Sequence, residues 1–317
     1  MRTIVKKLIQ LVVVLFFVTF FSFSLLKLIP GDPVDSLKPF ATPEQKAAIR
    51  AELGLDKPFF TQYSDWLKAF VKGDPGRDYS TNEPVKIGIG KALPVTLQLV
   101  FYAQILALVI ALPLGILTAY KSGTWFDKIT NTSAFGLLAL PGFVLGLILI
   151  YFLGVKAKVL PTQQYVPFGQ NVGEHFKHMI LPAISLAVGQ IAIYMRLLRS
   201  DMIQTLQEDF ITMAKAKGLT NRRILLRHAL RPSSFSLLTV AALNVGALIG
   251  GAVVIEQVFQ LPGLGLKLVQ AIATRQYVAL QAYVAIIAVA YVAFNALVDI
   301  LYVVLDPRIR HARAVAR

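Results

Sequence analysis

Six apolar runs, each close to the roughly 20 residues that a helix needs to cross a bilayer, constrain this chain more than any other feature. They fall at residues 8–29, 95–120, 133–155, 179–198, 235–255 and 277–305. Among 317 residues, 56% are hydrophobic and the mean hydropathy is +0.63, which is too much apolar surface for one soluble core. The expectation is an all-α membrane protein with six transmembrane helices.

Arg2, Lys6 and Lys7 precede the first run, as they would in a signal peptide. A signal peptide would have a shorter apolar core and a small-residue cleavage site, whereas this run ends in Lys27-Leu-Ile-Pro-Gly-Asp-Pro. It reads as a retained anchor, residues 1–30, with Lys27 snorkelling to the far interface. Residues 31–93 are ordinary in composition and electrically neutral. Thr42-Pro43-Glu44-Gln45 is a capping box that opens a helix, and Gly54 closes it. A second helix from Pro58 to Val71 carries Phe59, Tyr63, Trp66, Leu67 and Phe70 on one side, a stripe that predicts packing onto the membrane helices. This segment is expected to be a small helical domain outside the cytoplasm.

Charge sets the orientation. Discounting the long neutral segment, seventeen Lys and Arg lie on one side of the six spans and five on the other. The positive-inside rule then puts both termini and the segment between spans four and five in the cytosol. The formal charge of +15 follows from this topology and does not call for nucleic acid.

That segment, Asp209 to Pro232, is a basic island between two spans. Residues 204–217 carry Leu206, Phe210, Met213, Ala214 and Lys217 at helical spacing, and Gly218 would stop the helix in the left-handed conformation. Thr220 is placed to cap a second helix over 221–230, and Pro232 falls where it should end or kink. Helix, glycine turn and helix could form a solvated basic loop, a DNA-binding helix-turn-helix, or a docking element for a cytosolic partner. A DNA reader needs a soluble domain, and membrane-length segments flank this one on both sides.

Within the spans, Gln98, Gln190 and Asn244 either line a solute path or tie helices together by hydrogen bonds. Pro113, Pro141 and Pro182 should kink three spans, and Gly246 with Gly250, and Gly251 adjacent, would permit close helix approach. Asp299 lies near the cytosolic end of the last span, where Arg196 or Arg199 could pair with it. The chain has no cysteine, which excludes disulfides and thiolate sites. Gly88-Ile-Gly-Lys91 lacks the spacing and hydroxyl of a phosphate-binding loop, so any ATP must be bound by another chain. Glu174, His175 and His178 make a weak metal set, and no metal is expected.

Several stretches together resemble the permeases of binding-protein-dependent ABC importers, in the dipeptide, oligopeptide and nickel branch. They are Leu28-Ile-Pro-Gly-Asp-Pro33, Leu93-Pro-Val-Thr96, Ala214-Lys-Ala-Lys-Gly-Leu219 with Arg227-His-Ala-Leu230, Gly250-Gly-Ala-Val-Val-Ile-Glu256 with Pro262-Gly-Leu-Gly265, and Leu305-Asp-Pro-Arg-Ile-Arg310. The resemblance implies the type I importer permease fold, with a transmembrane domain over 94–306, a coupling loop at 200–232 and a cytosolic tail at 307–317. It implies that Asp209, Phe210, Met213, Ala214, Lys217, Gly218 and Leu219 form an ATPase-coupling helix and its turn. The chain departs from the family pattern at Thr212, where the general signature has glutamate, at Pro75 and at Pro232.

On this resemblance the chain performs no bond chemistry and carries no cofactor. It would be a multi-pass protein of a prokaryotic plasma (inner) membrane, embedded in lipid, that imports di- or oligopeptides. Its partners would be a second homologous permease, two ABC ATPase subunits that bind ATP and magnesium, and an extracytoplasmic substrate-binding protein. The alternatives are an importer for nickel or another small solute, and an ion-coupled secondary transporter. The last would need titratable groups within the membrane or an inverted repeat, and the sequence offers Asp299 and no convincing repeat. A membrane hydrolase would need a serine, histidine and carboxylate set that is not evident.

Overall fold

The computed structural model describes residues 2–28, 34–35, 40–52, 54–79 and 81–305, and every long element in them is helical. Helix α1 runs Arg2–Leu28, α2 Pro43–Glu52 and α3 Phe59–Val71. Helix α4 is Val85–Tyr120, α5 Trp125–Ala139, α6 Gly142–Lys156, α7 Val172–Thr205 and α8 Asp209–Ala216. Helix α9 is Asn221–Phe259, α10 Leu264–Ala273 and α11 Tyr277–Leu305. By length and composition, α4, α7, α9 and α11 can each cross a membrane, and α5 with α6 makes a fifth, broken span. The 27 residues of α1 are long enough for the sixth, at about 1.5 Å per residue.

The chain divides into two compact units. The first comprises residues 1–96 and 262–296. In it the capping box forms as expected, with Thr42 N–H donating to Gln45 Oε1 (3.0 Å) and Gln45 N–H to Thr42 Oγ1 (3.3 Å). Gly54 closes α2 at φ +65°. The aromatic stripe of α3 does pack: Tyr63 and Trp66 are buried with Ala285, Phe20 and Phe23. The Phe20 and Tyr63 rings meet edge to face at 5.4 Å, and the Tyr63 hydroxyl lies 3.0 Å from Thr19 Oγ1. A second cluster joins Val85, Ile89 and Ala92 of α4 to Leu264 and Ala271 of α10 and to Leu280 and Tyr283 of α11.

The second unit comprises residues 97–261 and 297–317. Ala103, Ala107 and Ala111, each one helical turn apart on α4, pack against Tyr194, Met195 and Leu198 of α7 and Leu237 and Ala241 of α9. Small side chains let helix backbones come close, the form of packing that serves helices in lipid. The span expected at 133–155 is bent by 100° between α5 and α6. Pro141 forces Leu140 into an extended conformation (φ −92°, ψ 122°), which ends α5, and Pro141 then precedes the first turn of α6. Pro113 and Pro182, by contrast, lie inside the continuous helices α4 and α7.

Two expectations are narrowed. The close glycine approach in α9 is made by Gly251, where an added Cβ would lie 3.0 Å from Leu186 Cδ1, whereas the same position on Gly250 is open. Pro232 does not end its helix. Residues Ile224–Ala229 adopt a π turn, with Leu230 N–H donating to the Leu225 carbonyl. Such a widened turn relieves the clash between a proline ring and the preceding turn, so α9 passes through Pro232.

Candidate functional site

Helix α8 and its flanking turns form the most sharply built surface feature of the second unit. The helix expected from residue 204 is interrupted: α7 ends at Thr205, and α8 begins only at Asp209. The N–H groups of Gln207 and Glu208 close the intervening turn on the carbonyls of Gln204 and Thr205. At the other end, Gly218 N–H donates to the Lys215 carbonyl (2.9 Å) and Leu219 N–H to that of Ala214 (3.2 Å). This pair of bonds is the Schellman motif, and it requires the φ of +75° that Gly218 adopts.

The helix has an inner and an outer face. Ile211 (0% exposed) and Ala214 (6%) enter the core beside Ile224 and Ala229. Phe210 (44%) and Met213 (63%) point outward. Asp209, Lys217 and Gly218 are exposed as well, while Leu219 is half-buried against the core. Of the seven residues expected to meet a partner, five therefore lie on the surface; Ala214 and Leu219 anchor the helix from inside. Lys215, Arg222, Arg223, Arg227 and Arg231, on α8 and the first turns of α9, are exposed as well.

Polar contacts elsewhere in the same unit tie α5 to α7 and the ends of α4 and α7 to α9. Arg199 donates to both oxygens of Asp127 (Nε to Oδ1 2.6 Å, Nη2 to Oδ2 2.7 Å). The same carboxylate accepts from Asn131 Nδ2 (2.7 Å) and Gly123 N–H (2.9 Å). Asn221 Nδ2 reaches the Tyr120 hydroxyl (3.0 Å), and Ser233 Oγ donates to Thr205 Oγ1 (2.9 Å), which joins the end of α7 to the first turns of α9. Sequence reasoning missed Asp127 and assigned Arg199 elsewhere. The local signal was Thr124, which caps α5 by accepting from Asp127 N–H; the arginine 72 residues away carried none. Arg196 lies over the Phe135 ring at 3.9 Å. The side chain of Asp299 and residues 306–317 lie outside the described residues.

The polar side chains of the spans are paired within this unit. Gln190 accepts from Asn244 Nδ2 (2.8 Å), and Gln98 accepts from the Tyr165 hydroxyl (2.8 Å). Gln104, placed between them in sequence, bonds the Tyr194 hydroxyl and the Ala241 carbonyl, each at 3.2 Å. The structure brings Gln190 and Asn244 together and gives Gln98 a different partner. His175 is fully buried, with Nδ1 2.7 Å from the Val166 carbonyl and Nε2 3.0 Å from the Tyr102 hydroxyl. A carbonyl can only accept, so Nδ1 carries the proton and Nε2 accepts from Tyr102. Glu174 is taken up by Lys177 at 2.6 Å.

Residues 111–311 match the model of the binding-protein-dependent transport system inner membrane component, and residues 1–100 match the N-terminal model of such a membrane component. The chain belongs to this family. It is therefore a membrane component of a transport system and not itself an enzyme. Among relatives, it is 37% identical to the "Probable peptide ABC transporter permease protein y4tP" of Sinorhizobium fredii, over 97% of this chain and 99% of that one. It is 35% identical to the dipeptide transport system permease protein DppB of Escherichia coli, over 93% of this chain and 95% of that one. A crystal structure of an amino acid ABC transporter with histidines has the same fold, with a TM-score of 0.51 over 68% of this chain and 93% of that chain at 16% identity. In the family member described here, the break before α8 and the glycine turn after it are the features that make a short, rigid, exposed helix out of a membrane chain.

Proposed function

We propose that this chain is the permease of an ATP-driven peptide importer, and that α8 is the element through which it feels its ATPase. The observation that carries this reading is the outward pair Phe210 and Met213 on a helix fixed from below by Ile211 and Ala214. Two exposed apolar side chains, on a segment that also exposes Lys215, Arg222, Arg223, Arg227 and Arg231, suit a complementary groove on a soluble partner. Because α8 joins α7 to α9 through short turns, a push on it would be transmitted to two spans.

In this reading the full transporter holds this chain, a second homologous permease, two ATPase subunits carrying ATP and magnesium, and an extracytoplasmic binding protein. Residues 31–93 lie on the extracytoplasmic side of the membrane and both termini lie in the cytosol. Peptide is the cargo because the named relatives are peptide and dipeptide permeases. Gln98, Gln190 and Asn244 act as ties between elements, since each already spends a polar atom on a neighbour. ATP binding would drive the change of access by favouring one of two packings of the spans.

The test is co-purification in mild detergent followed by peptide-stimulated ATPase assay, for wild type, Met213→Asp and Gly218→Pro. Gly218→Pro removes a donor to Lys215 and cannot adopt φ +75°, so it should distort the end of α8 and uncouple hydrolysis from peptide. Met213→Asp should weaken ATPase association while leaving the fold intact, because its side chain is exposed. Wild-type levels of association and coupling in both variants would remove α8 from the coupling role.

A further inference from the structure

An open cleft of about 610 Å³ lies in the second unit, between the first turns of α5 and the last turns of α7. Its wall holds three cations, Lys128, Arg196 and Arg199, and one carboxylate, Asp127. Arg199 and Asp127 cancel, since they are bonded to each other, and Asp127 accepts from Asn131 and Gly123 besides. The charges of Lys128 and Arg196 are left over. Arg196 is half-buried, and among the described residues the one partner of its guanidinium is the Phe135 ring, 3.9 Å away. The ring takes one face of the guanidinium and leaves its edge N–H donors unspent. Lys128, Thr132 and Ser200 are exposed in the same wall, and among the described residues their side chains are unbonded too. A guanidinium held flat beside an ammonium and two hydroxyls, with no carboxylate to spare, is a donor set for an anion with several oxygens.

The place of the cleft says which anion. It lies where α5 and α7 enter the bilayer, and Trp125, the first residue of α5, is 78% exposed there, as tryptophans at a membrane interface are. From Lys128 toward the middle of α5 follow Thr132, Phe135 and Leu138, and from Ser200 toward the middle of α7 follow Arg196 and Ile193, each step about one helical turn. Phe135, Leu138 and Ile193 are all exposed. On both helices, then, donors at the end give way to bare apolar side chains deeper in. A soluble phosphate would leave those side chains unused, whereas a phospholipid covers them with its acyl chains. Because Asp127 is already saturated, the cleft has no carboxylate for the ammonium of a zwitterionic headgroup, and a headgroup of net negative charge fits better.

We propose that this cleft binds an anionic phospholipid. Its phosphodiester oxygens accept from Arg196, Lys128 and the Ser200 hydroxyl, and its acyl chains run along Phe135 toward Leu138 and Ile193. The site lies apart from α8 and needs only that α5 and α7 enter the bilayer, whichever side their shared end faces.

The chain has two tryptophans, Trp66 and Trp125. A full-length Trp66→Phe chain therefore carries Trp125 alone, three residues from Lys128. In phosphatidylcholine bilayers with a rising share of brominated phosphatidylglycerol, or of brominated phosphatidylcholine as reference, quenching of Trp125 reads the relative affinity of the two lipids. Phosphatidylglycerol should bind at least about tenfold more tightly, and Arg196→Gln and Lys128→Gln should each remove about fivefold, the worth of one basic side chain against an anionic lipid. Lys128 is exposed, so its variant tests the site even where the loss of Arg196 from the Phe135 ring unsettles the fold. Lys121→Gln removes an exposed cation from the same end of the helices but not from the cleft, and should change the preference by less than about twofold in physiological salt.

No preference for phosphatidylglycerol, or equal losses for Lys121→Gln and Lys128→Gln, would overturn the site and leave diffuse attraction to a charged surface. Inorganic phosphate that abolishes the preference where sodium chloride of the same ionic strength does not would make the occupant a soluble phosphate and overturn the lipid. In the complete transporter, native mass spectrometry should find phosphatidylglycerol retained by the wild type and lost from Lys128→Gln. Equal retention by the two would give the cleft to a partner subunit and overturn the proposal.

Discussion

Asp127 receives four hydrogen bonds, from Arg199 twice and from Asn131 and Gly123, and its side chain is 5% exposed. Removing a carboxylate so enclosed leaves a guanidinium without its counter-charge, and for a buried pair that costs about 3–5 kcal/mol. Arg199 is 25% exposed, so water offsets part of the loss and about 2 kcal/mol is the expected cost of Asp127→Asn. Asp127→Leu combined with Arg199→Met should recover most of it, because no charge is then stranded. Thermal unfolding in detergent of Asp127→Leu, Arg199→Met and the double variant closes the cycle. A double variant as unstable as the sum of the singles would mean that the two side chains do not act as a pair. Residue identity alone made both groups visible as polar positions, but their pairing depends on how α5 and α7 pack, which sequence spacing does not encode.

At the level of elements, α6 lies so close to α7 that a Cβ on Gly142 would stand 2.7 Å from the Ser185 carbonyl oxygen. A backbone oxygen cannot rotate out of the way, so Gly142→Ala must push the helices apart, at a cost of about 1–3 kcal/mol. Gly90, in α4, has nothing within 4 Å of the same position, and Gly90→Ala should stabilise its helix by roughly 0.5–1 kcal/mol. Melting temperatures that move in opposite directions would support the account, and equal shifts would contradict it. The contrast also marks what could be read from sequence. Capping by Thr42 and Gln45, the aromatic face of α3 and the stop at Gly218 are local, because each depends on residues within one or two turns. The break at Leu140 was legible only in part, since Pro141 announced a kink and gave no angle. The π turn before Pro232 was not legible: a proline in a helical pattern fits a stop as well as a widened turn, and the packing of Ile224 and Ala229 into the core decides between them.

For the whole molecule, composition sets an expectation of which side each loop occupies, because lysine and arginine resist transfer and so bias the loops that carry them. Six apolar runs gave the membrane class, and that charge asymmetry gives an expected orientation, but neither could divide the helices into units. Residues 262–296 group with the N-terminal 96, across more than 160 intervening positions, because α10 and α11 pack there through contacts that periodicity cannot express. Orientation is open to direct measurement, since the chain has no cysteine and a single introduced thiol has no background. Ser122, in the turn between α4 and α5, and Gln170, before α7, are both exposed. With the termini inside, a membrane-impermeant maleimide should label Gln170→Cys in intact spheroplasts and Ser122→Cys only after permeabilisation. The reverse pattern would put Lys121 and Lys128 outside and turn α8 away from any cytosolic ATPase. The coupling role of Phe210 and Met213 would then fail with the topology, whatever the geometry of the helix that carries them.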